Sequence, residues 1–407
     1  MKVRISGIGG LCACGLDFET AVAALFQNRR NPAPAHRFKL DHPLSYPVFE
    51  LPPSSLDEPD KNQPWLRTSR LAVAAARAAL KDSGWHKNHS PITNLSRLRV
   101  GVCIGTTVGG NMNDEQFYRD FKNHKTPGLQ PINRYLQSNP AAVVAEVFNL
   151  CGPQLTVVNA CSSGTDAIAI GTEWIRAGIC DLVLAGGSDE LCRVTCNGFI
   201  SLMISDSLPC RPFDESRSGL NLGEGAAILV LESEKIYQQR QLSGINNEPT
   251  SPQAFIAGSG SACDAWHLTA PHPKGRGLRL ALTNALADAE ISADQIAFIN
   301  AHGTATSNND LCEGLVLKDM FPHVPFFSTK GHTGHTLGAA GALEAAFTVA
   351  MLKRREIPQS AGFTKIDPAI DHAPITSAQT FNGNFALSQS LAFGGNNSAL
   401  IIGLEED

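Results

Sequence analysis

The 407-residue chain is poor in charge, with Asp, Glu, Lys and Arg making up 17% of it, against roughly 25% in ordinary soluble domains. It has no basic excess either, since 33 Lys+Arg and 38 Asp+Glu give a net charge of −5. That balance argues against nucleic acid as a main partner, because such surfaces carry clustered cations. No apolar run approaches the ~18–20 residues that cross a bilayer. The opening MKVRISGIGGLCACGLDFET carries two early cations and an apolar stretch, in the manner of a signal peptide. Four glycines interrupt that stretch and acids follow it, so it reads as a strand and turn. Among the eleven cysteines there is no CxxC pair and no Cys/His ligand cluster, so neither a disulfide framework nor a zinc site is expected. Most should be reduced, buried, small hydrophobes, which points to the cytoplasm. What the chain does have is 43% apolar residues and 36 glycines. Such a composition excludes disorder and implies a deep core, a large subunit interface, or both.

Short β-branched runs alternate with longer Ala-rich stretches of helical period, the pattern of an α/β fold. Buried strands are expected at 100–105, 155–160, 181–186, 226–231, 297–301 and 399–403, and helices at 68–82, 162–177, 276–289 and 339–354. A polar, Pro-bearing stretch at 238–253 is the best junction between two halves, 1–245 and 246–407. Each half closes on a Gly-rich apolar pair, GEGAAILVL and GGNNSALIIG, which suggests a duplication. Segments 28–65 and 107–140 read as excursions over the surface or over a substrate tunnel.

Four local patterns carry chemistry. In VVNACSSGTDAIAIG a strand runs into Cys161 and then a helical period. A thiol at a helix N-terminus gains thiolate character from the unpaired N–H groups and the macrodipole. In INAHGTATSNND a strand ends in His302 and a glycine turn. In FSTKGHTGHTLGAAGALE a strand delivers Lys330, and a glycine-rich turn carries His332 and His335 before a small-residue helix. In LAFGGNNS the double glycine Gly394-Gly395 beside Phe393 permits a tight turn whose N–H groups are oxyanion donors. Taken singly, each cysteine or histidine could equally be structural. A poised thiol, two strand-edge histidines, a lysine and a Gly-Gly loop together are hard to explain by packing.

In that order, NACSSG, NAHGTAT…D, STKGHTGHTLGAAGALE and AFGGNN resemble the β-ketoacyl-[acyl carrier protein] synthases, the elongating Cys-His-His branch of the thiolase superfamily. Supporting blocks ISGIGG, LAGGSDE, RPFDESRSG and NLGEGAAILVLE extend the likeness over nearly the whole chain. The resemblance implies a thiolase fold, two pseudo-repeated α/β halves forming a five-layer αβαβα core, and a dimer. It implies Cys161 as acyl-accepting nucleophile, His302 and His335 as the condensing pair, Lys330 as organiser and Glu344 as its ion-pair partner. It also makes Phe393 the gate, whose N–H joins that of Cys161 in an oxyanion hole. No metal and no separate cofactor are implied, because substrates arrive on the phosphopantetheine of acyl carrier protein. The final Gly-rich loop lacks the second cysteine of degradative thiolases, and the STKGHTGH block carries His where initiating enzymes have Asn.

The family pattern is broken at Ser218, Ala392, Asn396 and Ser307-Asn308-Asn309. These positions flank the gate and the condensing loop, so unusual acyl chains are expected, in fatty acid or type II polyketide/polyene biosynthesis. The competing reading is a non-catalytic, chain-length-determining subunit of a heterodimeric synthase, which typically lacks the nucleophile. Partners are acyl carrier protein and a second or related synthase chain. Arg67, Arg70 and Arg77, or Arg211 and Arg217, are candidate cationic contacts for the acidic carrier. Thr304 and Thr306 are expected to bond the phosphopantetheine arm, with His267, His272 and Lys274 lining its channel.

Overall fold

The structure, a computed structural model, describes residues 2–52, 56, 65–87, 90–91, 98–107, 110–242 and 253–405. Its main sheet has ten strands. The first half supplies β1 (Val3–Cys12), β2 (Val100–Gly105), β3 (Gln154–Val157), β4 (Leu182–Asp189) and β5 (Gly225–Ser233). The second supplies β6 (Ala254–Cys263), β7 (Ile296–Asn300), β8 (Phe326–Phe327), β9 (Phe385–Ala392) and β10 (Asn396–Leu404). Across the sheet the order is β8-β7-β9-β10-β6-β1-β5-β4-β2-β3. Counted within each half, both sets run third, second, fourth, fifth, first. In both, the second strand pairs parallel with the third and fourth, and the remaining pairs are antiparallel. One topology is therefore used twice. The halves join where Val3, Arg4 and Ile5 pair with Ile256, Phe255 and Ala254.

Six helices matter for the site: α1 (Arg67–Asp82), α2 (Ser163–Arg176), α3 (Arg193–Ser201), α4 (Arg276–Ala289), α5 (Ser307–Met320) and α6 (Ala340–Arg354). Helix α1 covers β1 and β5, and α4 covers β6 and β10, from outside. Between the two halves lie α2 and α6, which touch each other; α6 reaches β5 on one side and β9 on the other. The result is five layers. Helix α6 is buried from Ala340 to Val349, as a helix apolar on every face must be. Its contact with α2 needs glycine. A Cβ on Gly341 would lie 2.0 Å from Thr165 Oγ1, and one on Gly164 would lie 2.8 Å from the Gly338 carbonyl.

Strands β2 and β4 read as continuous apolar runs because they are buried throughout. Strands β6 and β9 escape that reading, since AFIAGSGSAC and FALSQSLA carry Gly, Ser and Gln where packing is close. The expected junction at 238–253 starts inside a helix, Glu234–Leu242, and residues 243–252 lie outside the described residues. The 107–140 excursion contains two short helices, Glu115–Lys122 and Gln130–Leu136, neither with a buried residue. They leave Tyr118, Phe121 and Leu136 exposed.

Candidate active site

Cys161 stands on an elbow between β3 and α2. The turn requires Ala160 at φ 50°, a left-handed conformation that costs an ordinary residue about 1–2 kcal/mol. Local hydrogen bonds hold it: Ser163 Oγ accepts from the Asn159 N–H at 2.8 Å and donates to the Ala160 carbonyl at 2.6 Å. Asp166 accepts from Ser162 Oγ and Asn159 Nδ2 at 2.8 and 2.6 Å, and from Ser398 Oγ across the halves. The thiol is buried, at 5% exposure. Burial pushes it up to about 12, while Lys330 and a hydrogen bond from the Phe393 N–H pull it down. The expected thiolate is thus corrected. Cys161 precedes the first helical residue by two positions, and desolvation outweighs the helix terminus, so the resting group is the thiol.

His302 follows β7 on a loop tied to α5. Glu313 accepts from the His302 and Gly303 N–H groups at 2.6 and 2.8 Å, and Asp310 accepts from Thr304 and Ala305. His335 follows a glycine at φ 67°, and its own N–H and carbonyl pair with Asn221 and Gly223 at 2.8 and 2.9 Å. The two imidazoles meet edge to face with centroids 5.3 Å apart. Their nearest ring nitrogens and the Cys161 sulfur all lie within 4.8 Å of one another.

Lys330 sits beneath this triangle. Its ammonium reaches the His302 carbonyl at 2.5 Å, His302 Nδ1 at 3.0 Å, and Glu344 Oε1. Those three acceptors use all three protons of an ammonium. His302 Nδ1 must then accept, which leaves the proton on Nε2. The Leu337 N–H donates to His335 Nδ1 at 3.1 Å, so the second imidazole also carries its proton on Nε2. Burial, reinforced by the Lys330 charge, holds both histidines well below their usual range. Both are neutral donors. A thiol and two imidazoles at this spacing also form the donor set of a soft divalent ion, with Lys330 as an opposing charge.

A cavity of about 400 Å³ opens onto the thiol, lined by Cys161, His302, His335, Thr304, Thr306 and Phe393 among others. Thr304 and Thr306 face it, their hydroxyls 2.9 Å apart. Gly394 and Gly395 are not among its described lining residues. They act on the backbone: at φ 83° and 78° they fold the loop so that the Gly394 N–H reaches the Leu268 carbonyl and the Gly395 carbonyl accepts from Asp264. Ser218, Ala392 and Ser307-Asn308-Asn309, the departures from the family pattern, line the cavity, and Asn396 bonds the Phe393 carbonyl at 3.2 Å.

Several sequence candidates lie elsewhere. Arg67 is buried against Glu224 at 2.8 Å, Arg211 pairs with Asp206 at 2.8 Å and Arg217 with Asp367 at 2.5 Å. Of the five arginines, Arg77 alone is exposed, over the Phe148 ring. His267 lines the cavity, whereas His272 packs edge-on against Trp266 and accepts from the Lys274 N–H. His332 is buried and outside the triangle, its ring nitrogens without a partner among the described residues. Sequence reading missed Phe199, which stacks on Phe393 with centroids 5.6 Å apart, and Glu313. The glutamate was visible only as an acid three residues beyond Asp310.

Comparison with known proteins gives the family. The beta-ketoacyl synthase N-terminal domain matches residues 56–236 and the C-terminal domain residues 253–364. A 3-oxoacyl-[acyl-carrier-protein] synthase 2 of Staphylococcus aureus is 30% identical, over 98% of this chain and 98% of its own. A putative mitochondrial 3-oxoacyl-[acyl-carrier-protein] synthase of Schizosaccharomyces pombe is likewise 30% identical over 98% of both chains. Among solved structures, a beta-ketoacyl synthase from Burkholderia phymatum superimposes with a TM-score of 0.87 at 32% identity over the whole of both chains. A ketosynthase in complex with its chain length factor from Xenorhabdus doucetiae gives 0.82 at 31%, covering 99% of this chain and 98% of the other. The repeated five-layer fold, the match of both domains and the full-length relatives place the chain in the β-ketoacyl synthase family of the thiolase superfamily.

Proposed function

We propose that the protein is a β-ketoacyl-[acyl carrier protein] synthase that joins malonyl-carrier thioester, with loss of CO2, to an acyl group held on Cys161. The observation that carries this reading is the pair of neutral imidazoles, both with the proton on Nε2, beside one buried thiol. The half spanning 1–245 brings the thiol, and the half spanning 246–407 brings His302, His335, Lys330, Glu344 and Phe393.

Cys161 sulfur attacks the carbonyl of the acyl-carrier thioester, its proton passes to the departing carrier thiol, and a second thioester remains on the enzyme. The Cys161 and Phe393 N–H groups are the donors for the oxyanion of that step. Malonyl thioester then takes the place of the first carrier. The two Nε2–H groups hydrogen-bond its thioester oxygen and stabilise the enolate formed as CO2 leaves. The enolate carbon attacks the acyl-Cys161 carbonyl, the C–S bond breaks, and the departing Cys161 thiolate takes a proton from water. Decarboxylation supplies the driving force, so no redox or metal cofactor takes part. A positioned donor of this kind is worth about 10²–10³ in rate elsewhere.

Acyl carrier protein is the partner at the cavity mouth, through the threonine pair rather than the internal arginines. A second synthase-like chain, identical or related, docks on the β3 edge, where Leu155 and Val158 are exposed. No helix among the described residues is long and apolar enough to cross a membrane; we place the protein in the cytoplasm. The intact thiol and both histidines do not favour a non-catalytic chain-length subunit. Incubation with acyl-carrier thioester followed by intact mass measurement tests the reading. An adduct on wild type and none on Cys161→Ala is expected. His302→Ala and His335→Ala should keep the adduct while losing condensation. No adduct on wild type would refute it.

A further inference from the structure

We infer that Asn396 is a positioning residue for the oxyanion hole: its side-chain amide holds the Phe393 carbonyl and thereby keeps the Phe393 N–H aimed at the Cys161 sulfur. The inference rests on the condensing reading and adds to it a residue at which the family pattern is broken.

The loop needs such an anchor. Strands β9 and β10 form a hairpin whose last register pair is Ala392 with Asn396, which leaves Phe393, Gly394 and Gly395 as the turn. The two glycines stand at φ 83° and 78°. Glycine adopts that conformation without a steric penalty but is free to adopt many others, so the turn by itself does not fix where Phe393 points. Its contacts do. The Gly394 N–H reaches the Leu268 carbonyl at 2.8 Å. The Gly395 carbonyl accepts from the Asp264 N–H at 2.7 Å and from Asn397 Nδ2 at 2.9 Å. These bonds hold the glycines. Phe393 itself is tied by Asn396, whose Nδ2 donates to its carbonyl at 3.2 Å. The same amide lies over the turn, 3.1 Å from where a Cβ on Gly394 would stand.

Phe393 and Cys161 line one cavity, and the Phe393 N–H bonds the sulfur. As the sulfur adds to a thioester carbonyl, negative charge develops on the carbonyl oxygen, and a donor already aimed there gives the most stabilisation. The Phe393 ring is stacked on Phe199, with centroids 5.6 Å apart and planes 12° apart. With the ring held on one side of the Cα and the carbonyl on the other, the N–H has little freedom to turn away from the sulfur. Removing the amide frees the carbonyl, and the donor loses its aim while the thiol stays in place. Iodoacetamide separates the two effects, since it alkylates sulfur by displacement at a saturated carbon and forms no oxyanion.

The test uses the full-length protein with Asn396→Leu, which keeps the branched shape without a donor or a charge, and with Asn396→Ala. Acylation of Cys161 by acetyl- and hexanoyl-carrier thioesters is followed by intact mass over a range of carrier concentrations. In both variants the rate at saturating carrier should fall about tenfold or more, within the 10²–10³ that one oxyanion donor supplies. The half-saturating concentration should change less than about twofold, as for an interaction made only in the transition state. Alkylation of Cys161 by iodoacetamide should stay within about threefold of wild type. Acylation within twofold of wild type in both variants overturns the inference. So does an equal fall of acylation and alkylation, which would assign Asn396 to the thiol or to the fold. Faster acylation in either variant overturns it as well, and would make Asn396 a latch on an obstructing Phe393. If neither donor acylates wild-type Cys161, the condensing reading fails, and this inference with it.

Discussion

Lys330 fixes the tautomer of His302 with one N–H and holds the loop carrying it with another, while Glu344 balances its charge. Lys330→Met should release the Nδ1 constraint and lower condensation by about 10²–10³, the value of one positioned donor. Acylation of Cys161, read by mass, should fall less than tenfold; equal loss of both would assign Lys330 to the thiol. Because burial keeps that thiol up at about 12, alkylation of Cys161 by iodoacetamide should be slow at neutral pH and still rising at pH 10. A plateau below pH 8 would show a stabilised thiolate instead. His332 is a different case. It is buried with neither ring nitrogen bonded among the described residues, an omission that costs about 1–3 kcal/mol. Its imidazole is held down at about 3, below the ~6.5 of an unfolded chain. The folded state therefore binds the proton less readily, and stability is lost as pH falls below 6.5. His332→Met should raise the melting temperature, with a larger gain at pH 5 than at pH 7.

At the level of elements, the paired central helices are built on small residues, and their contact sets the distance between the two halves of the site. Gly341→Ala brings a methyl against Thr165 Oγ1 and the Ser390 hydroxyl, which share a 2.8 Å hydrogen bond. A loss of about 1–3 kcal/mol is expected from such overpacking, measured by urea unfolding, together with slower Cys161 acylation as α2 moves. Edge strand β3 is a second element with a testable role. It is four residues long, with Leu155 exposed within it and Val158 exposed just after it, and its outer edge is a template for another chain. With a second chain docked on this edge as proposed, Leu155→Asp should lower the mass read by light scattering relative to wild type; an unchanged mass would remove β3 from that contact. Sequence reading expected a buried strand at 155–160, whereas β3 spans Gln154–Val157 and is exposed at Gln154 and Leu155, because edge or centre depends on partners far away in the chain.

Across the whole molecule, buried ionisable groups of opposite type shape the response to acid. His302, His332 and His335 are all lowered by burial, so they favour the folded state above about 6.5 and withdraw that stability as pH falls. Glu190 and Glu313 are raised by burial to about 7. Their contribution is complete below about 4.3, the unfolded value, and is lost as pH rises through 7. Between pH 5 and 7 the two sets oppose each other, so the melting temperature should change little. Below about 4.5 the histidine loss continues and is joined by that of carboxylates held below their usual range, Asp214, Glu234 and Glu405 among them, so stability should drop steeply in calorimetry. A steady decline from pH 7 to 5 would show that the glutamates do not titrate as their burial implies. The sequence by itself determined the family, the α/β class, the duplication and the identity of the thiol, the histidines and the lysine. Those follow from short segments, because a strand, a glycine turn and the reactive side chain are set by neighbours in the chain. Tertiary structure alone decided the identical strand order of the halves, the protonated thiol, the Nε2–H tautomers and the internal arginines. Each of these depends on burial and on partners far apart in sequence, such as Asp166 and Ser398, and desolvation cannot be read from a run of residues before the chain has closed around it.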